Sequence, residues 1–208
     1  MANLVLGAGG AAAEAYTIDQ SLRFNDGDDP YLSRTPGSAS NRTTWTWSSW
    51  IKKDTTTSPG GSPTLLYADN FQFFFRRSGH PSDPDTLYVH QDSAVLVTTQ
   101  LFRDPSSWYH IVLAVDTTQG TDSNRVKLYV NGDQVTAFAT ASYPSEDAEW
   151  DVNDTTLHTI GSLYSGSADD SMGGYLAEVY LIDGQQLTPS SFGETDSATN
   201  QWKPIDAS

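Results

Sequence analysis

The sequence has no cysteine. That absence excludes disulfides, thiolate metal sites and a cysteine nucleophile. Positive charge is scarce: 11 Lys and Arg stand against 26 Asp and Glu, a formal charge of −15. Phosphate contacts need clustered Lys and Arg, so nucleic acid and anionic membrane surfaces are poor partners for this chain. No apolar run approaches the ~20 residues that span a bilayer, so no membrane insertion is expected. A helical period is missing too: no stretch of ten or more residues carries an apolar stripe at 3.6 spacing. Nor is there a G-x-S-x-G elbow, an H-E-x-x-H or an H-x-H.

What is present describes a folded chain. Its 208 residues fit one domain with a substantial core. Charged residues make up only 18% and aromatics 12%, unlike the dense charge and sparse aromatics of acidic disorder. The acidity is concentrated. Residues 1–142 carry 14 acidic and 10 basic side chains, whereas residues 143–208 carry 12 acidic side chains and one basic, Lys203. The plain reading is a solvated acidic rim that keeps a β protein soluble. The sharper readings are a divalent-cation site or a docking surface for a basic partner.

The first 19 residues read as a flexible or assembly arm. Met1 to Ala15 is apolar and small, but no Lys or Arg precedes Arg23, and Gly7, Gly9 and Gly10 interrupt it. No signal peptide is expected. Gly7-Ala8-Gly9-Gly10-Ala11-Ala12 after Asn3–Leu6, with Asp26 downstream, spells the dinucleotide fingerprint. The context fails: a helix there has two turns at most before Thr17, and no βαβ pattern follows.

From Gln20 the period is two. In Thr43–Lys53, Trp45, Trp47, Ser49 and Ile51 share one face, and Trp50 lies on the other. Further strands are expected at Ser21–Phe24, Leu65–Ala68, Phe71–Arg76, Thr86–His90, Ala94–Thr98, Trp108–Asp116, Leu157–Gly161 and Gly174–Ile182. Arg125–Asn131 and Gln134–Ala139 flank Asn131-Gly132, which predicts a tight primed hairpin. A single helical turn is expected at Thr188–Phe192, with Pro189 at its first position. Roughly a dozen short strands predict an all-β, antiparallel two-sheet sandwich over residues 20–192. Residues 193–208 read as a polar C-terminal tail.

Three blocks resemble the laminin-G-like, concanavalin-A-like jelly roll. They are Thr44–Lys52; Trp108-Tyr109-His110-Ile111-Val112 with Lys127-Leu128-Tyr129-Val130-Asn131-Gly132; and Thr159-Ile160-Gly161 with Gly174–Leu181. Ser21–Phe24, Tyr31–Pro36, Arg103–His110 and Leu176–Glu194 further resemble the laminin-G-like domains of tailed bacteriophages. That resemblance implies a non-enzymatic virion protein: a fibre, surface appendage or decoration module, assembled in a bacterial cytoplasm. Its partners would be other virion proteins and copies of itself, with host-surface glycans as candidates. The absence of cysteine agrees with assembly in a reducing compartment. The alternative is a lectin-like carbohydrate-binding module, with calcium as a candidate cofactor.

The resemblance also raises a glucanase, whose carboxylates alternate along one strand. Asp147, Glu149 and Asp151 have alternate spacing, but in the order D-x-E-x-D and in a segment that reads as a loop. A solvated acidic loop is the simpler reading, and no catalytic residue is assigned. Calcium would need six to eight oxygens. Asp26, Asp28 and Asp29 in one turn, and Asp169 and Asp170 in another, are the candidates; turn chemistry also explains them. For a sugar or a subunit contact the candidates are Trp50 and Tyr129, because alternation turns both away from the core, and the cations Arg76 and Arg77. With Arg103 these cations could meet the acidic surface of another copy, or form internal ion pairs. His110, inside a strand, reads as a packing or hydrogen-bonding residue. Asn41-Arg42-Thr43 and Asn153-Asp154-Thr155 are glycosylation sequons only in a secretory pathway, which is not inferred.

Overall fold

The computed structural model describes residues 16–54, 61–164 and 168–207. Residues 1–15 of the expected arm lie outside that set. The strands are β1 (Leu22–Phe24), β2 (Leu32–Arg34), β3 (Thr44–Lys53), β4 (Thr64–Ala68), β5 (Phe71–Phe75), β6 (Leu87–Gln91) and β7 (Ser93–Thr98). They continue with β8 (Tyr109–Asp116), β9 (Val126–Val130), β10 (Asp133–Gln134), β11 (Phe138–Ala141) and β12 (His158–Ile160). Last come β13 (Leu163–Tyr164), β14 (Ala168–Asp169), β15 (Gly174–Asp183), β16 (Gly193–Thr195) and β17 (Trp202–Pro204). Two antiparallel sheets stack face to face. One runs β1-β15-β3-β8-β9-β10, the other β11-β7-β6-β5-β4-β12-β2. The architecture is the expected jelly-roll sandwich.

The period-two pattern explains the core. Trp45, Trp47 and Ile51 of β3 point inward beside Ile111, Leu113 and Val115 of β8 and Leu128 of β9. Phe71, Phe73 and Phe75 of β5 face them from the other sheet. Trp45 meets Phe71 edge-on at 5.5 Å, and Trp47 meets Phe73 at 5.3 Å. Such edge-to-face pairs add to the burial of two large rings, and truncating either Trp would cost roughly 3–5 kcal/mol. Trp150, expected in a solvated acidic loop, is fully buried and packs on Trp45 at 5.6 Å.

The Asn131-Gly132 turn forms as expected, with φ of 51° and 88°, the positive pair that a type I′ turn requires. Its second arm differs from the sequence reading. Only Asp133 and Gln134 pair with β9; Phe138–Ala141 crosses over and pairs with β7 in the opposite sheet. The cause is a spacing of three. Val135 and Phe138 both pack on the core, and residues three apart on a straight strand face opposite ways. The chain must therefore bend between them.

The C-terminal residues also depart from the picture of a polar tail. Pro189–Ser191 forms the expected helical turn, and then β16 and β17 pair as a hairpin. This hairpin lies on the outer face of the six-stranded sheet. Phe192, with Leu187 and Ala207, covers Val112, Ala114 and Tyr129. The Thr46 hydroxyl donates to the Gln185 carbonyl at 2.7 Å and accepts from the Leu187 N–H at 2.8 Å. Trp202 supplies the apolar anchor that polar composition concealed.

Candidate functional site

The site starts from β3. Outward-facing Trp50 is opposite His110 of β8 and Ala177 of β15 in the sheet register. Its ring lies over His110 at 4.9 Å, and Trp202 of the hairpin stacks on His110 at 5.8 Å. The Trp202 indole N–H donates to His110 Nδ1 at 3.0 Å. His110 Nδ1 is thus an acceptor, so the proton sits on Nε2 and is donated to Ser48 Oγ at 2.9 Å. Burial holds the imidazole neutral, with its pKa pushed down to about 4. His110 is a packing and hydrogen-bonding residue, as expected.

A slot of about 290 Å³ opens beside this stack. Trp50 and Ala177 form its floor, Trp108 and Pro204 line it, and Asp19, Gln20 and Ser21 give it a polar rim. The Tyr16 hydroxyl tethers that rim segment to the sheet by donating to Glu178 Oε1 at 3.0 Å. Glu178 stands at an irregularity of β15, with φ 49°, where the register with β3 shifts. Trp108 is 37% exposed and lies 6.4 Å from the equally exposed Tyr175. Alternation turns Trp50 away from the core. It is only 8% exposed, because Trp108, the rim segment and Pro204 close around it. The open aromatics are Trp108 and Tyr175. Trp108 was hidden by the apolar run that follows it; it precedes β8 and belongs to the Pro105-Ser106-Ser107 loop. Tyr175 had a legible signal, since it alternates with buried Leu176.

The other candidate binding residues are elsewhere. Tyr129 is buried under Phe192 and its neighbours rather than exposed. Arg76 lies over Tyr88 at 4.2 Å and Phe74 at 5.3 Å, and pairs with Asp83 at 3.4 Å. It caps an aromatic cluster on the seven-stranded sheet. Arg77 is half-buried beside it. Arg103 pairs internally with Asp85 at 3.2 Å.

The acidic segment after Pro144 is met from within the chain. Arg42 reaches Glu149 at 2.9 Å, Asp154 at 3.1 Å and Asp151 at 3.6 Å. Asp147, Glu149 and Asp151 lie in loop, not strand, so their alternation does not put them on one face. The segment is a loop whose charge Arg42 offsets in part.

Both acidic turns reach the same rim. Asp29 accepts from the Ser171 hydroxyl at 3.0 Å, and Asp170 accepts from the Ser62 N–H at 2.8 Å. Asp28 accepts from Asn25 at 2.5 Å, and Asp26 closes the turn by taking the Asp29 N–H on its carbonyl. Of Asp169 only the backbone is described. Among the described residues no three His, Asp or Glu side chains converge as a metal-holding group. Asp26 and Asp28 serve their own turn, whereas Asp29 and Asp170 tie their turns to distant segments of the chain.

A larger cleft, about 530 Å³, opens at the sandwich edge between β2 and the second half of β15. Its polar groups serve one another. Asn153 Nδ2 donates to the Asn41 carbonyl and to Asp183. His158 accepts from the Asn153 N–H at 3.0 Å, leaving its other nitrogen to donate to the Thr156 carbonyl at 2.9 Å. The ring at its wall, Trp47, is fully buried. The slot, with open rings and a polar rim, is the better candidate.

Two stacked antiparallel sheets joined as a jelly roll, with an aromatic slot on one outer face, define a lectin-like sandwich. The model of the concanavalin A-like lectin/glucanases superfamily matches residues 26–191, and the chain belongs to that family. A carbohydrate-binding protein from Bacteroides ovatus, described as putative, is 16% identical over 93% of this chain and 53% of its own, with a TM-score of 0.58. Domain 4 of an extracellular arabinanase from Geobacillus stearothermophilus, solved with arabinotriose, is 18% identical over 72% of this chain and 65% of its own, with a TM-score of 0.48. The heptameric pentraxin of Limulus polyphemus is 16% identical over 84% and 76%, with a TM-score of 0.49. The chain thus spans less than two thirds of the length of the first two. No curated protein matches the sequence significantly.

Proposed function

We propose that the protein is a non-catalytic saccharide-binding module whose combining site is the Trp50–Trp108 slot. The observation that carries this reading is the exposed Trp108–Tyr175 pair beside the polar rim of Asp19, Gln20 and Ser21. A sugar ring offers axial C–H groups to an aromatic face and hydroxyls to polar groups, and shallow sites of this make-up suit it. The family to which the chain belongs supports the reading. So does the lining of the slot, where Asp19 is the one carboxylate among the described residues, since glycoside hydrolysis by the usual route needs two. The test is titration of the protein with a panel of oligosaccharides, followed by tryptophan fluorescence and calorimetry. At least one saccharide class should bind, and Trp108→Ala should weaken it tenfold or more while thermal stability stays within a few degrees. Binding unchanged in Trp108→Ala would reject the slot.

The resemblance of Ser21–Phe24 and Arg103–His110 to phage domains supports a setting for this module: the surface of a virion, among copies of itself. There a saccharide site would serve attachment to a host cell. Detection of the chain in purified particles, and loss of adsorption by particles carrying Trp108→Ala, would test that setting.

A further inference from the structure

We propose that the slot selects an acidic saccharide, one with a carboxylate or sulfate next to the ring that stacks on Trp108; the proposal rests on the saccharide-binding reading above. Arg23 of β1 and Lys52 of β3 stand on either side of Tyr175 of β15 in the sheet register. Directly opposed residues project from the same face, so all three share the outer face with the slot. Neighbouring strands are ~4.8 Å apart, which puts the two cation-bearing backbones about 10 Å apart with Tyr175 between them. The long Arg and Lys side chains can close on one anion above the phenol. The next row along the same face, about 7 Å away, is Ser21, Ala177 and Trp50, the rim and floor of the slot. One sugar unit and its charged substituent span that distance.

The position of these two cations, beside open rings, sets the row apart. Arg42, Lys53, Arg76, Arg103, Arg125 and Lys203 each have a carboxylate within 4 Å. Arg23, Arg34, Lys52, Arg77 and Lys127 have no such partner among the described residues; of these five, Arg23 and Lys52 flank the exposed ring of Tyr175 in the sheet register. Asp54, just past the end of β3, lies against Gly173, where a Cβ would come within 2.3 Å of its carboxylate. Asp19 is on the opposite rim and takes the Thr17 hydroxyl at 3.4 Å. Two uncommitted cations beside two open rings suit an anion better than a neutral sugar. Arg presents a planar fork that matches carboxylate or sulfate, and Lys adds a point charge.

The test compares trigalacturonate, its carboxyl-reduced trigalactose counterpart and a sulfated galactose trisaccharide by calorimetry at 50 and 300 mM salt. The acidic ligands should bind at least tenfold tighter than the reduced one at 50 mM, and that margin should shrink at 300 mM. In Arg23→Gln/Lys52→Gln the margin should vanish while residual neutral binding stays, because neither cation contributes to the core. A sulfated ligand binding as well as the carboxylated one supports recognition by charge. Equal binding of acidic and reduced ligands, lost in Trp108→Ala, overturns the acidic preference and leaves the saccharide site intact. An acidic preference that survives the double substitution overturns the assignment to Arg23 and Lys52. Failure of all three ligands and of the wider panel overturns both readings together.

Discussion

The indole N–H of Trp202 donates to Nδ1 of His110 at 3.0 Å, and so the C-terminal hairpin locks the tautomer of a histidine in the sheet it covers. The bond requires an unprotonated Nδ1. Burial holds the His110 pKa at about 4, below the ordinary 6.5. Between these values the unfolded chain binds a proton that the folded chain does not. Stability therefore rises with pH across this window and falls as pH drops from 6.5 toward 4. The full span corresponds to about 3 kcal/mol. His158 is shifted down as well, mainly by burial, and adds a slope of the same sign. Urea unfolding of the wild type and of His110→Gln at pH 7 and pH 4.5 separates the two. The variant should lose less stability on acidification; an equal loss would refute the assignment.

The seat of Trp202 gives a second prediction. A Cβ on Gly193 would meet the Trp202 ring at 2.6 Å, and one on Gly132 would meet it at 2.5 Å. The indole is held between two backbones. Gly132 also has φ of 88°, so its substitution mixes strain with contact. Gly193 has no such complication. Gly193→Ala should cost about 1–3 kcal/mol by overpacking. Limited proteolysis should then cut between residues 193 and 207 well before the sheets are attacked. Unchanged protection would mean that the hairpin accommodates the methyl group.

Alternation made the inner face legible: Trp45, Trp47 and Ile51 are where a period of two puts them. Asn131-Gly132 was equally plain, because few dipeptides accept two successive positive φ values. What alternation cannot say is what covers the outer face. Trp50 and Tyr129 do point outward, yet both are covered, one by the rim segment and hairpin, the other by Phe192 and its neighbours. That cover comes from residues far away in sequence, through contacts such as Trp202 to His110, which no local pattern encodes. Trp108 shows the reverse failure. It adjoins an apolar run and reads as its first residue, whereas the strand begins at Tyr109.

The Arg42 contacts predict unequal costs in one cluster. Glu149 is largely exposed, and its pair with Arg42 is of the surface kind, worth about 0–1 kcal/mol. Arg42 itself does more. It also donates Nε to the Trp150 carbonyl at 2.7 Å and faces Asp151 and Asp154. Glu149→Gln should change stability by less than 1 kcal/mol. Arg42→Leu should cost roughly 2 kcal/mol, as an interaction of a buried carbonyl with a charged donor is lost and three carboxylates are left without their cation. Chemical denaturation of the two variants at low and high salt checks this. Salt should soften the second loss, and equal losses would refute the asymmetry.

Lys53 breaks the alternation rule in a way that predicts a coupling. It ends β3 on the inner face and is 6% exposed, with Asp85 at 2.9 Å and the Phe102 carbonyl at 3.3 Å. Burial pushes the Asp85 carboxyl up, but hydrogen bonds from Ser78, Lys53 and Arg103 outweigh it and hold the pKa below the ordinary value. A carboxylate held low stabilises the fold above its unfolded pKa, and that contribution is lost as pH falls through the folded pKa. Asp85→Asn leaves the buried Lys53 ammonium without a carboxylate and should cost about 3–5 kcal/mol, whereas Lys53→Met leaves Asp85 its Arg103 and Ser78 partners and should cost less. The double substitution should cost clearly less than the two together, because an apolar or neutral pair no longer carries an uncompensated charge. A double-mutant cycle by urea unfolding measures the coupling. Strict additivity would show that Ser78 and Arg103 satisfy Asp85 without Lys53, and that the ion pair is incidental to the fold.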